Sequence, residues 1–163
     1  MIFSGYNIRQ IKEEDDASIL RIVRNAFEDL GAPLTGTVYD DPRTVHLSHE
    51  FIRKDAEYWV IEKEGEVMGG CGFYPTEGLP EGMAEIVKFY FSPALRSKGM
   101  GRKMLEYVSQ RAKAIGYRKL YIESFPQFAN AVRLYEHIGF RHIAHALGNS
   151  GHPAVTIYME KEL

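Results

Sequence analysis

Apolar and polar positions along this chain change period repeatedly, and each change marks an element. Tyr6 to Ile11 alternates with period two and predicts a first strand. Ile19, Val23, Phe27 and Leu30 recur at helical spacing and stop at Gly31, a C-terminal cap signal. Residues 31–44 hold two prolines, two glycines and the adjacent Asp40 and Asp41, the composition of a loop. Val45 to Lys54 predicts a short helix. Tyr58–Lys63 and Glu66–Tyr74 read as a hairpin closed by Glu64-Gly65. After a loop over 76–82 comes a strand, Glu85 to Phe91. Met100, Met104, Leu105, Val108, Ala112 and Ile115 then form a helical stripe ending at Gly116. Lys119–Ser124 predicts a strand, Phe128–Ile138 a helix, and Arg141–Ala146 and Ala154–Met159 two late strands. Strands and helices in alternation predict an α/β domain with a mixed sheet, spanning residues 1–163 as one unit.

Composition narrows the function classes. The 163 residues are enough to bury most of their apolar surface in one core. With 45% hydrophobic and 26% charged residues the balance is that of an ordinary globular chain. A net charge of −2 gives no global attraction to nucleic acid or to an anionic membrane. No apolar run approaches the ~18–20 residues of a membrane span, and Met1-Ile2-Phe3-Ser4-Gly5 lacks the pattern of a signal peptide. One cysteine excludes an internal disulfide and fits a reducing cytoplasm.

The segment richest in chemistry is Arg96-Ser97-Lys98-Gly99-Met100-Gly101, which joins the strand Glu85–Phe91 to the following helix. Two glycines let the backbone turn sharply and approach a ligand closely. Several N–H groups then point one way where a helix begins, and its first donors lack partners at the positive end of the dipole. Such a turn suits a phosphate or pyrophosphate, and Arg96, Lys98, Arg102 and Lys103 add positive charge around it. A nucleotide P-loop, G-x-x-x-x-G-K-S/T, is absent. The dinucleotide fingerprint fails because Met104 stands where its third glycine belongs.

R-x-x-G-x-G after a strand ending in Ser92-Pro93 resembles the acyl-CoA pyrophosphate loop of the GNAT-type N-acetyltransferase superfamily. A second block, Ala131-Val132-Arg133-Leu134-Tyr135-Glu136-His137-Ile138-Gly139-Phe140, is similar to that family's A-x-x-L-Y-x-x-x-G-F helix. The two blocks stand in the family's order and separation. The resemblance covers residues 84–140 well and the first eighty only in their succession of elements. It implies the GNAT fold, a mostly antiparallel mixed sheet flanked by helices. It also implies acetyl-CoA as co-substrate, no metal, and transfer of an acetyl group to an amine of a small molecule, peptide or protein; a homodimer is compatible with it.

Acetyl transfer to an amine poses three problems. An amine of pKa about 10.4, if lysine-like, must lose a proton; the oxyanion needs a donor; and the departing thiolate benefits from a proton. Glu85 stands in an A-E-I-V string where the family's glutamate base is found, and Glu123, at the end of the next strand, is the alternative. Period-two alternation puts Glu85, Val87, Phe89 and Phe91 on one face. A carboxylate among apolar neighbours has its pKa raised; an ion pair with Lys88 would be the competing, purely structural role. Tyr135 stands where the family places the tyrosine that protonates the thiolate; otherwise it is a core aromatic. For the oxyanion and the pantetheine arm, the resemblance implies backbone groups of Phe89, Tyr90 and Phe91, exposed by a bulge or splay; the residues themselves fit an ordinary paired central strand as well. Arg96, Ser97, Lys98, Gly99, Met100, Gly101 and Arg102 are the expected pyrophosphate contacts. An asparagine common in the family is replaced here by Phe128, and Asn130 falls on another side of the helix.

The remaining candidates carry less. Cys71, in V-M-G-G-C-G-F, is either an acetyl carrier or a small core residue. His46/His49 and His142/His145 have i, i+3 spacing but no matched ligand set. His152, on a loop, together with Tyr39 and Asp40, is expected at the acceptor site, where the adjacent aspartates would either attract a cationic amine or merely solvate a turn. A CoA-binding sensor without turnover is the competing function; a pure binder would need neither Glu85 nor Tyr135.

Overall fold

Strand pairing in the computed structural model, which describes all 163 residues, follows the alternating segments closely. The strands are β1 (Ile2–Phe3), β2 (Tyr6–Gln10), β3 (Glu57–Lys63), β4 (Glu66–Tyr74), β5 (Met83–Phe91), β6 (Lys119–Ser124), β7 (Arg141–Ile143) and β8 (Ile157–Glu162). They form one sheet in the order β1-β2-β3-β4-β5-β6-β8-β7, antiparallel throughout except between β5 and β6. The helices are α1 (Asp16–Leu30), α2 (Leu47–Glu50), α3 (Met100–Ala114) and α4 (Ala129–His137).

Helical stripes bury as their spacing predicts. Ile19, Val23 and Phe27 of α1 pack with Leu47 of α2, Tyr58, Val60, Phe125 and Phe128 in one core. Met100, Met104, Leu105, Val108 and Ala112 of α3 and Val132 and Tyr135 of α4 join Ile8, Ile61, Phe73, Ala84 and Ile86 in the other. Gly31 ends α1 at φ +67°, and its N–H donates to the Glu28 and Phe27 carbonyls. Asp16 accepts from Ser48 N–H and Ser48 Oγ, both at 2.8 Å, and so ties α1 to α2.

Four boundaries depart from expectation. β1 is an additional strand, too short to show a period. The helix expected over 45–54 is a single turn, because the chain leaves it after Glu50, with Ile52 85% exposed and Arg53 folded onto Asp55. β7 ends at Ile143 rather than Ala146. The last strand starts three residues late: Pro153-Ala154 is a turn followed by the buried Val155, and the polar Glu160–Glu162 continue the pairing with β6 to Lys119↔Glu162.

Two irregularities around β5 position the site. First, β5 and β6 pair only at Met83↔Lys119, Ala84↔Leu120 and Glu85↔Tyr121, then part, while β6 stays paired with β8 as far as Ser124↔Ile157. Second, the β4–β5 register shifts between Gly70, opposite Tyr90, and Gly72, opposite Val87. The extra residue makes a bulge on β5 in which Lys88 takes φ +48°, a left-handed conformation costly for a side-chain-bearing residue. Glycines permit this. A Cβ at Gly70 or Gly72 would meet the Tyr58 ring at 2.5 or 2.7 Å. Their absence of side chains lets Tyr58 cross β4 from β3 and donate a 2.8 Å hydrogen bond to the Lys88 carbonyl.

The bulge corrects the expected face of β5. Phe89 and Phe91 pack with Ala84 and Ile86 in the α3 core, whereas Tyr90 packs in the α1 core beside Phe27 at 5.7 Å. Simple alternation from Glu85 would have put Phe89 and Phe91 beside the carboxylate. One inserted residue reverses the parity downstream.

Candidate active site

Where β5 and β6 part, a cavity of about 350 Å³ opens between Ile86–Tyr90 and Ile122–Phe125. Glu85, at the last paired position, lies at its closed end and is only 5% exposed. Its Oε1 accepts from Thr76 Oγ1 at 2.6 Å. Burial, reinforced by the neighbouring Glu123 carboxylate, raises the Glu85 pKa from 4.5 to about 7; the Thr76 hydrogen bond and Lys88 act against that rise. Glu85 forms no ion pair with Lys88, so the surface-pair role does not describe it.

Glu123 also lines the cavity but is engaged: it accepts from Tyr121 Oη at 2.7 Å and from Ser150 Oγ. Tyr121 Oη accepts in turn from Leu147 N–H at 3.1 Å, and Asn149 N–H donates to the Glu77 carbonyl at 2.7 Å. These bonds fasten the loop 144–156 over the site. His152 comes with it and lines the cavity, its Nε2 2.8 Å from Asp41 Oδ2. Arg43 also holds Asp41 and donates to the Ser150 carbonyl at 3.0 Å. Burial draws the His152 pKa down, with the Asp41 contact opposing.

Tyr135 reaches the cavity from α4. Its ring is packed 5.6 Å from Phe89 and 6.0 Å from Phe140, and burial pushes its pKa up. The hydroxyl keeps accessible surface and bonds to no protein group. A buried tyrosine ordinarily satisfies its hydroxyl; here the ring serves the core and the hydroxyl faces the opening.

The pyrophosphate-type loop lies across one ring from this cavity, since Phe89 lines the cavity and would stand 3.3 Å from a Cβ at Gly101. Ser97 and Gly99 take φ +62° and +71°, and α3 has no side-chain cap. Backbone N–H groups from Ser97 through Arg102 donate to no protein acceptor; the first helical bond is Lys103 N–H to the Gly99 carbonyl at 3.2 Å. A run of aligned free donors at a helix start is an anion-binding nest. Arg96, Lys98 and Arg102 stand exposed around it, whereas the Met100 side chain is buried in the core and offers only its backbone.

Other expected residues fall elsewhere. Tyr39 and Asp40 do not line the cavity: Tyr39 Oη donates to Glu28, and Asp40 accepts from Gly36 and Thr37 N–H, each at 3.0 Å, as a loop brace. Asp41 is the aspartate that reaches the site, through Arg43 and His152. Asn130 is exposed and bonds to Arg133, while Phe128 lines the cavity, 5.1 Å from Phe27. Cys71 is fully buried, its pKa pushed up by burial, and does not touch the cavity. His46 and His49 stack on each other at 5.6 Å, and His142 contacts Glu136. No three His, Cys, Asp or Glu side chains converge, and no helix is long and apolar enough to cross a membrane. The residues that pattern reading missed are Arg43, Thr76 and Ser150, loop side chains without local signal.

Comparison with known proteins agrees with this fold. Residues 21–140 match the model of the Acetyltransferase (GNAT) family. The chain belongs to that family and is an acetyltransferase by fold and descent. It is 34% identical over 157 residues to the uncharacterized N-acetyltransferase YjgM of Escherichia coli (strain K12), covering 96% of this chain and 94% of that one. Among solved structures, a GNAT acetyltransferase from Staphylococcus aureus Mu50 superposes with a TM-score of 0.82 at 16% identity over 96% of this chain and 98% of the other. Another, yncA from Salmonella typhimurium, solved with its cofactor acetyl-CoA, gives 0.75 at 22% identity over 98% and 89%.

Proposed function

We propose that this chain, as one catalytic domain, transfers an acetyl group from acetyl-CoA to a primary amine by direct attack in a ternary complex. The observation that carries the reading is the cavity where β5 and β6 part, into which a carboxyl of pKa about 7 and an unpartnered tyrosine hydroxyl both open. The free N–H groups of Ser97–Arg102 hold the pyrophosphate, with Arg96, Lys98 and Arg102 supplying charge. The edge of β5 that β6 leaves free around Phe89–Phe91 receives the pantetheine arm and offers a backbone donor to the oxyanion.

Glu85 takes the proton of the acceptor ammonium as the free amine forms. The amine nitrogen attacks the thioester carbonyl carbon, the C–N bond forms, and the tetrahedral intermediate collapses with loss of the C–S bond. Tyr135 gives its proton to the departing sulfur and recovers one from the remaining excess N–H of the attacking nitrogen, so neutral amide and CoA thiol leave and Glu85 carries the first proton out. His152, fixed by Asp41, lines the acceptor end.

Calorimetric titration with acetyl-CoA, CoA, ATP and NAD, followed by a CoA-release assay against an amine panel, tests this. Binding of the two CoA species alone, with amine-dependent CoA release, is expected. CoA binding without release for any amine would favour the sensor reading; binding of ATP or NAD instead would overturn both.

A further inference from the structure

The cavity carries three cationic side chains: Arg43 and Arg53, which flank α2, and Lys88 on β5. Two are already matched. Arg43 is bound through 2.7 Å and 3.1 Å contacts to Asp41, and Arg53 through 2.8 Å contacts to Asp55. Lys88 is not. It has no carboxylate oxygen within 4.0 Å and no hydrogen bond from its ammonium, although it is half-buried. Its position is imposed. The bulge that turns Lys88 into the cavity holds it at φ +48°, and Tyr58 clamps its carbonyl. A desolvated, unpaired charge at Lys88 is a cost that the fold itself does not require.

That cost is offset if an anion of the ligand completes the ion pair. CoA phosphates are held at the far side of Phe89 on the loop 97–102, so the anion belongs to the acceptor. Lys88 stands three residues from Glu85 on one strand, which places the acceptor's anion close to its reacting nitrogen. The carboxylates facing the same space, Glu50, Glu77, Glu85 and Glu123, suit an ammonium. Resting on the acetyl-transfer reading, we propose that the acceptor is an amino acid, its carboxylate paired with Lys88 and its amine presented to Glu85. Burial draws the Lys88 pKa below the usual lysine value, and a bound carboxylate would restore the charged form.

Matched pairs of acceptors test this in a CoA-release assay: amino acids against their decarboxylated amines and their carboxamides, at constant pH. We expect kcat/KM to favour the amino acid of the accepted pair by about a hundredfold, the effect of one desolvated charge pair. In Lys88→Gln that ratio should fall towards one, and Lys88→Arg should recover part of it. Preference for decarboxylated amines or amides, or no turnover of any pair while another class of amine is acetylated, would overturn the amino-acid proposal and leave the transferase reading standing. Absence of CoA release with every amine would instead remove the reading beneath it. A ratio unchanged in folded Lys88→Gln would overturn the pairing with Lys88, and the wild-type ratio tests the amino-acid class even where that variant fails to fold.

Discussion

Replacing Glu85 by Gln should remove activity and at the same time stabilise the protein at neutral pH. An acid whose pKa rises from 4.5 to about 7 on folding binds a proton more tightly in the folded state. Stability is therefore full below about pH 4.5, declines as the pH rises, and is at its lowest once the pH passes 7. A shift of that size corresponds to roughly 3 kcal/mol, as an upper figure for one carboxylate. Gln has nearly the same shape, keeps an oxygen to accept from Thr76, and carries no charge. Glu85→Gln should then melt several degrees above wild type at pH 8, at about 2–4 °C per kcal/mol for a chain of this size, with the gap closing towards pH 4.5. Turnover should move the other way, with a loss of about 10²–10⁴-fold. Wild-type kcat/KM should rise with pH around a midpoint near 7, a midpoint that Glu123→Gln should lower by removing the like charge. Calorimetric melting from pH 4.5 to 8, alongside CoA-release kinetics, provides the assay. A constant difference in melting temperature across that range, with a wild-type activity midpoint near an ordinary glutamate value, would refute the argument.

Tyr135→Phe removes a hydroxyl that contacts no protein group, so melting temperature and acetyl-CoA affinity should hold while turnover falls; Tyr135→Ala should instead cost roughly 3–5 kcal/mol through the cavity it leaves, and full turnover in the Phe variant would end the acid role. Gly99 meets nothing within 4 Å, so its requirement is φ +71°, and Gly99→Asn should retain more CoA affinity in titrations than Gly99→Val. Gly101→Val should lower both affinity and stability, since its Cβ would stand 3.3 Å from Phe89. Tyr58→Phe orphans the Lys88 carbonyl and should cost about 1 kcal/mol in denaturant unfolding while raising the acceptor KM; an unchanged KM would show that the bulge holds without the clamp.

The parts of this molecule that a one-dimensional pattern can carry were legible in it. Met100 to Ala112 shows its stripe, Arg96–Gly101 its donors, and Ala131–Phe140 its second motif, because each is a local property of consecutive residues. Glu85 was legible as a residue and its raised pKa as a direction. What period two could not carry was the bulge. Gly70 and Gly72 read only as weak strand positions until Tyr58, on another strand, is seen to need their space. The parting of β5 and β6 was implied only by the family resemblance, as a bulge or splay; both strands remain regular β sequence, and the gap exists only between them. Tyr39 and Asp40 misled for a related reason: a loop aspartate caps a turn or faces a ligand according to a fold of the loop that local composition does not encode. Asp41, one residue on, is the one that Arg43 and His152 draw in.

Initial-rate kinetics with acetyl-CoA and an accepted amine varied together, combined with intact mass of the protein after acetyl-CoA alone, test the central claim most directly. Direct transfer within the cavity predicts intersecting double-reciprocal lines and an unmodified mass, with Cys71 buried and unreactive. Parallel lines with an acetylated protein that passes its acetyl group to the amine would contradict it.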